Sequence, residues 1–291
     1  MIRNEIKRSI CSKAFLFALA IMTLFAALSA LYYIESWSGY NPEELNHYVD
    51  AEGNSKYCPD FAIMSLFSAW LGGDMLSLAC TVFFTMIPIG AAIPFAWSYH
   101  VERKCGYLKN IVTRTERKKY LFAKTCAVFL SGAAVILIPY IINILMVSAY
   151  IPYYMPWAGY NFYNVVYFGT MWADLFFTHP FLHMFLFVML NTLYGGIYAL
   201  ISYAISFYIK NLFAVLFMPF VVTLAVGYAE NVLFLRLRST VTPYEIDPTK
   251  FLHSRSIQFF QNSKVILFIT IALVVFALGT VFIKGTKDEI Y

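Results

Sequence analysis

Six stretches of this chain run for 19 to 29 residues without an Asp, Glu, Lys or Arg: Ala14 to Ile34, Met75 to Tyr99, Thr125 to Tyr150, Phe181 to Ile209, Asn211 to Ala229 and Val265 to Ile283. At about 1.5 Å of rise per residue, helices of that length match a hydrocarbon layer about 30 Å thick. The other spanning solution, a closed β-barrel, alternates polar and apolar positions, and these runs do not. With 60% of its 291 residues hydrophobic, among them 28 Phe and 22 Tyr, the chain has more apolar surface than a water-soluble domain hides. The expected fold is all-α. It is a polytopic membrane protein of one domain, 1–291, with six transmembrane helices at 14–34, 75–99, 125–150, 181–209, 211–229 and 265–283.

Composition and motifs narrow the chemistry. The sequence has no GxxxxGK[ST] phosphate loop, no HExxH and no GxSxG, so an enzyme is not expected and any ATP-derived work must come from another polypeptide. The five cysteines, Cys11, Cys58, Cys80, Cys105 and Cys126, form neither an even set nor a close-spaced metal pattern. The first apolar run follows a basic start, as a secretory signal does. Its length exceeds a signal's apolar region, so it is expected to stay as an anchor.

Cations sort to one side of these spans. With both termini in the cytoplasm, inside segments hold 15 of the 21 Lys and Arg, and 11 of the 16 Asp and Glu fall outside. That matches the positive-inside rule. The opening MIRNEIKRSICSK sets Ile2, Ile6 and Ile10 four apart with Arg3, Lys7, Arg8 and Lys13 between them. An amphipathic helix over 1–13 can therefore lie among anionic headgroups, or the basic start can simply fix orientation. Outside, residues 35–74 form an acidic loop, with an interfacial helix expected from Phe61 to Leu71 behind Asp60. Residues 150–172 hold ten aromatics and no charge, the composition of an aromatic belt or of a cargo-contacting surface that includes Trp157 and Tyr160. Within an exterior loop at 235–263, Thr242-Pro243-Tyr244-Glu245 is a capping box and Asp247-Pro248 repeats the cap-plus-Pro logic, so two short helices are expected.

Between residues 102 and 124 stand eight Lys and Arg against two Glu. Read as a helix over 101–119, the segment places Cys105, Tyr107, Leu108, Ile111 and Val112 on one side and Lys109, Asn110, Thr113, Arg114 and Arg117 on the other. Gly106 costs such a helix about 1 kcal/mol relative to Ala, which points to a bend. Such a segment can fix topology and bind headgroups, or it can take force from a cytoplasmic partner and move the two spans it joins. Nucleic-acid binding is not expected, since stacking aromatics other than tyrosine are lacking.

The pattern Glu102-x-x-x-Gly106-Tyr107-Leu108-Lys109-x-Ile111, followed by Thr113-Arg114, Arg117-x-x-Tyr120 and Lys124, resembles the signature of the ABC transporter type-2 permease family. The match covers about 25 residues, and the six-span layout extends it. The resemblance implies a permease half that docks on a separate ABC ATPase subunit through Glu102, Gly106, Tyr107, Leu108, Lys109, Ile111 and Arg114. It implies no cofactor on this chain, with ATP and magnesium on the partner, and a second permease copy or related chain. It also places exterior helices near a gate. Thr115 departs from the small-residue or proline turn of many relatives.

Other candidates stand beside this. Glu230, near the outer end of span five, is an intramembrane carboxylate, and with Tyr244 and Glu245 it is a candidate gate or cargo contact. His179 and His183 lie one helical turn apart, a spacing open to a metal or to ordinary interfacial polar residues. The expected function is the permease subunit of an ABC exporter of amphipathic or hydrophobic cargo, in a bacterial cell membrane. The alternatives are a scaffold, sensor or immunity component, and a membrane-embedded metal enzyme.

Overall fold

The computed structural model describes residues 1–39, 41, 47–49, 52–57, 64–106, 113, 115–156, 164–209, 211–237 and 242–287. Helix α1 (Ile2–Ile10) breaks at Cys11, and Ser12 restarts the chain by accepting the Phe15 N–H at 3.0 Å, which caps α2 (Lys13–Ser38). A three-residue antiparallel pair follows, β1 (His47–Val49) with β2 (Ser55–Tyr57). Then come α3 (Leu66–Ala69), α4 (Leu78–Ala92), α5 (Ser98–Lys104) and α6 (Arg117–Ser148). The second half holds α7 (Ala173–Thr178), α8 (Pro180–Ile205), α9 (Leu212–Leu237), α10 (Pro248–Phe251) and α11 (Ser263–Lys287).

Among the described residues five helices, α2, α6, α8, α9 and α11, are long and apolar enough to cross a membrane. The sixth expected span, 75–99, is not one helix. Its one long helical stretch is α4, 15 residues or roughly 22 Å. Pro94 cannot donate the next helical hydrogen bond, and residues 93–97 run as turns into α5. Two further expectations are corrected. Of the helix expected from Phe61 to Leu71, residues 61–63 lie outside the described residues, and the described remainder holds the four-residue α3, whose residues are all buried and not interfacial. The expected 101–119 helix is broken at Cys105 and Gly106, where α5 ends and Gly106 takes φ +70°, and Arg117 opens α6; residues 107–112 and 114 lie outside the described residues.

Helices α6 and α8 form the centre of the bundle, with α2, α4 and α1 packed around α6 and α11 and α9 against α8. Lipid offers little hydrophobic drive between helices, so close approach through small residues must carry the packing. A Cβ on Gly132 of α6 would stand 2.5 Å from the Ala199 Cβ and 2.7 Å from the Gly195 carbonyl oxygen; one on Gly195 would meet Ile136 at 2.6 Å. The small-residue surface around Gly195 and Gly196 is therefore an internal seam. Gly132→Val is expected to cost about 1–3 kcal/mol by overpacking. A lower melting temperature in detergent reads this out, with Gly279→Val as control, since a Cβ there meets nothing within 4 Å.

Both ends of the described chain lie at one end of this bundle. Glu5 of α1 reaches Lys124, in the first turns of α6. Gly285, near the end of α11, packs against Leu121 in the same turns and against Phe207 just past α8.

Candidate functional site: a buried ion cluster and a re-entrant segment

At that shared end, α1, α5 and α6 converge on charge. Lys124 is 0% exposed, and its Nζ donates to Glu102 Oε1 at 2.8 Å and to Glu5 Oε2 at 3.2 Å. Arg8 adds a second cation to Glu102 Oε1 at 2.5 Å, and the Tyr120 hydroxyl donates to Glu102 Oε2. The Phe95 ring, 4.2 Å from Lys124 Nζ, closes the apolar side with a cation–π contact. Two carboxylates and two cations sum to zero, which is what lets charge persist away from water.

Local sequence explains the convergence. Tyr120 and Lys124 lie four apart and share one face of α6, as Glu5 and Ser9 do on α1. Both Glu5 and Ser9 are buried, whereas Ile2 and Ile10 are exposed. Helix α1 therefore turns Glu5 and Ser9 to the protein and Ile2 and Ile10 outward, while Ile6 between them packs against the core. On α5, Glu102 is 3% exposed, while Arg103 and Lys104 point out. His100 is held below its ordinary pKa by partial burial and by Lys104 and Arg103.

Glu102 thus sits inside the molecule, where it ties α5 to its neighbours. Gly106 marks the end of α5 by conformation, since a Cβ there meets nothing within 4 Å but φ +70° disfavours any other residue. Tyr107, Leu108, Lys109, Ile111 and Arg114 lie outside the described residues. Glu5, Arg8, Phe95 and Tyr120 were not among the predicted site residues. The one acidic residue in the basic opening helix was their available signal.

A second polar centre lies at the other end. Glu230 of α9 accepts the backbone N–H of Ile246 and of Asp247, each at 2.6 Å, and its other oxygen takes Lys250 Nζ at 2.8 Å. Asp247 caps α10 through the Thr249 N–H at 3.0 Å and rests on Gly227, where a Cβ would come within 2.4 Å of its carboxylate. From there the chain dips into the bundle. The Leu252 carbonyl receives Asn191 Nδ2 at 2.9 Å, eleven residues or roughly 16 Å along α8. His253 stacks on Phe84 of α4 at 3.6 Å, and the Ser254 N–H and hydroxyl both reach the Gly72 carbonyl, at 3.1 and 2.8 Å.

The segment 242–261 is therefore re-entrant, with one short helix where two were expected. No helix starts at Thr242. Tyr244 forms a parallel bridge with Phe260 instead. Glu245 accepts the N–H groups of Ile257 and Gln258 at 2.6 and 2.9 Å and the Gln261 amide at 3.1 Å, so its side chain is not available to close a capping box. Burial pushes its carboxyl above the usual range, while these hydrogen bonds pull it back.

Asp74, the residue just ahead of the expected 75–99 span, is 1% exposed and bound to the Ser29 hydroxyl at 2.6 Å and to the N–H groups of Leu76 and Ser77, which starts α4. His183 packs among Phe176 and Phe187. Among the described residues no three His, Cys, Asp or Glu side chains converge. Trp157 and Tyr160 lie outside the described residues.

No family model, curated protein or solved structure matches the chain. The two polar centres thus stand on their own geometry. Each uses buried charge to fasten an irregular segment to long helices, one at each end of the bundle.

Proposed function

We propose that this chain is the membrane-spanning subunit of an ABC-type transporter, driven by a separate ATPase that docks beside α5. The neutral cluster of Glu5, Arg8, Glu102 and Lys124 carries this reading. It fastens α5 to α1 and α6, so a push on the basic stretch between α5 and α6 reaches α4 and α6 instead of being spent in local bending. Glu102 is then the fastener. The partner's contact falls to Arg103, Lys104 and the stretch through Arg114.

Six crossings with both termini in the cytoplasm belong to this reading. Helix ends that share one side call for an even count, and in this reading α4 with residues 93–97 supplies the sixth crossing. Asp74 bonds Ser29, and Pro94 lies beside Ser12 at 3.4 Å, so the unit runs alongside 17 residues of α2, roughly 26 Å. The re-entrant segment then forms the outer gate over a path for amphipathic or hydrophobic cargo. A second permease copy completes the transporter, and a bacterial cell membrane is its setting.

One experiment joins these points. A co-expressed ATPase is expected to co-purify, and the chain alone to hydrolyse no ATP. Cys11 and Cys105 are exposed. An impermeant maleimide is expected to reach both only in inside-out vesicles, with Cys105 shielded when the ATPase is bound. Labelling in right-side-out vesicles, or unshielded Cys105 in the complex, would sink the proposal.

A further inference from the structure

A cavity of about 130 Å³ lies between α9 and α11. Two fastenings on α9 bound it. Pro219 has no N–H to give the Val215 carbonyl, and the Ser202 hydroxyl of α8 takes that oxygen instead at 2.7 Å, which pins the first turns of α9 to α8. Farther along, Gly227 lies against Asp247 and Glu230 holds Lys250, so α9 is tied again, this time to the re-entrant segment. Between these two points Pro219, Val222, Thr223 and Val226 line a gap that no side chain fills.

The other walls are equally apolar. Tyr198 and Ile201 come from α8, Ile269 and Leu273 from α11, and Ile246 and Pro248 from the start of the re-entrant segment. Thr223 turns its hydroxyl to the Phe220 carbonyl at 2.8 Å, and the cavity presents no polar surface. An apolar cavity of this size stays dry and takes hydrocarbon, as an engineered one of about 150 Å³ takes benzene. Left empty, its lining would forfeit dispersion contacts.

The surrounding medium supplies that hydrocarbon. Helices α9 and α11 hardly touch one another, since α9 packs on α8 and α4, and α11 on α8 and α6. Val222 belongs both to the cavity lining and to the exposed surface of α9 that continues through Val221 and Leu224, so the cavity is continuous with the lipid boundary. Its α9 lining stands 7 to 14 residues past the start of a 26-residue helix, about 10–21 Å along it, which is the depth of acyl-chain ends.

We propose that the distal part of one acyl chain of a bilayer phospholipid enters between α9 and α11 and fills this cavity. Ile246 and Pro248 flank Asp247, so the chain braces the place where the re-entrant segment is tied to α9. The inference needs α9 and α11 to lie in a bilayer and does not depend on an ATPase partner.

The test is photo-crosslinking of the full chain in phosphatidylcholine nanodiscs with two probes, one phosphatidylcholine carrying a diazirine near the chain end and one carrying it beside the ester. Adducts located by peptide mass spectrometry are expected from the chain-end probe at the half-buried Val226, Ile269 and Leu273. They should exceed those at the exposed Leu224 and Phe276 roughly tenfold, a preference equivalent to about 1.4 kcal/mol. The ester-side probe should show no such excess. Thr223→Phe fills the cavity and should bring labelling of the lining down to the level of Leu224 and Phe276. Val222→Phe, at the exposed mouth, asks the same question if Thr223→Phe does not fold. Lining adducts no more abundant than those at Leu224 and Phe276, or unchanged by the filling variants, overturn the proposal. So does a co-purifying hydrophobic molecule of another kind that must be stripped before lipid labels the lining, because the cavity then belongs to that molecule.

Discussion

Lys124→Met is expected to destabilise the protein by about 3–5 kcal/mol, because it leaves two buried carboxylates, Glu5 and Glu102, with Arg8 as their one remaining cation. The Lys124 side chain is 0% exposed, so water cannot screen what remains. Arg8, whose side chain is 49% exposed, reaches Glu102 but approaches Glu5 only to 4.0 Å. Melting followed by intrinsic fluorescence in mild detergent reads the loss. The compensating test is Lys124→Met with Glu102→Gln, which restores the balance to one carboxylate and one cation. If charge balance is what matters, the double variant recovers at least about 1 kcal/mol relative to the sum of the singles. Strict additivity would mean that Lys124 acts through packing alone.

Glu230→Ala is the second large effect, about 3 kcal/mol, since one truncation orphans two backbone N–H groups and leaves Lys250 with neutral acceptors, Asn231 and Gln258, in place of its carboxylate. Lys250 retains some exposure, 14%, so the figure belongs at the lower end of the range for a buried pair. Glu230→Gln keeps an acceptor of the same shape and is expected to lose less. The local readout is tryptic cleavage after Lys250 and Arg255, slow while the segment is held in the bundle and fast in Glu230→Ala. Unaltered cleavage would show that Asn191 and Gly72 hold the segment without Glu230.

Much of this architecture was legible in the sequence, and the exceptions share a cause. The absence of charge over 19 residues or more is a local property, and it marked each of the five long helices. The same property hid the break in 75–99, where Pro94 interrupts a run whose composition never changes. Helix α1 was read by its isoleucines, yet its contact face is set by Glu5, whose partner lies 119 residues away. Glu245 satisfied a capping-box pattern but serves N–H groups twelve and thirteen residues on. Glu102 was singled out as a docking residue, and periodicity could not say that it faces inward. Local pattern finds helices, whereas buried charge finds its partners only in three dimensions.

The clasp between Ser254 and Gly72 joins residues 182 positions apart. During synthesis the turn before α4 emerges long before the chain that covers it. Contacts of such long separation form late, and unsatisfied surface waits for them. The ribosome must deliver nearly nine-tenths of the polypeptide before the short, proline-broken helix acquires its roof. Until then it depends on the insertion machinery or a chaperone for shelter, and C-terminal truncations ahead of residue 254 should be cleared as misassembled products instead of persisting as smaller bundles.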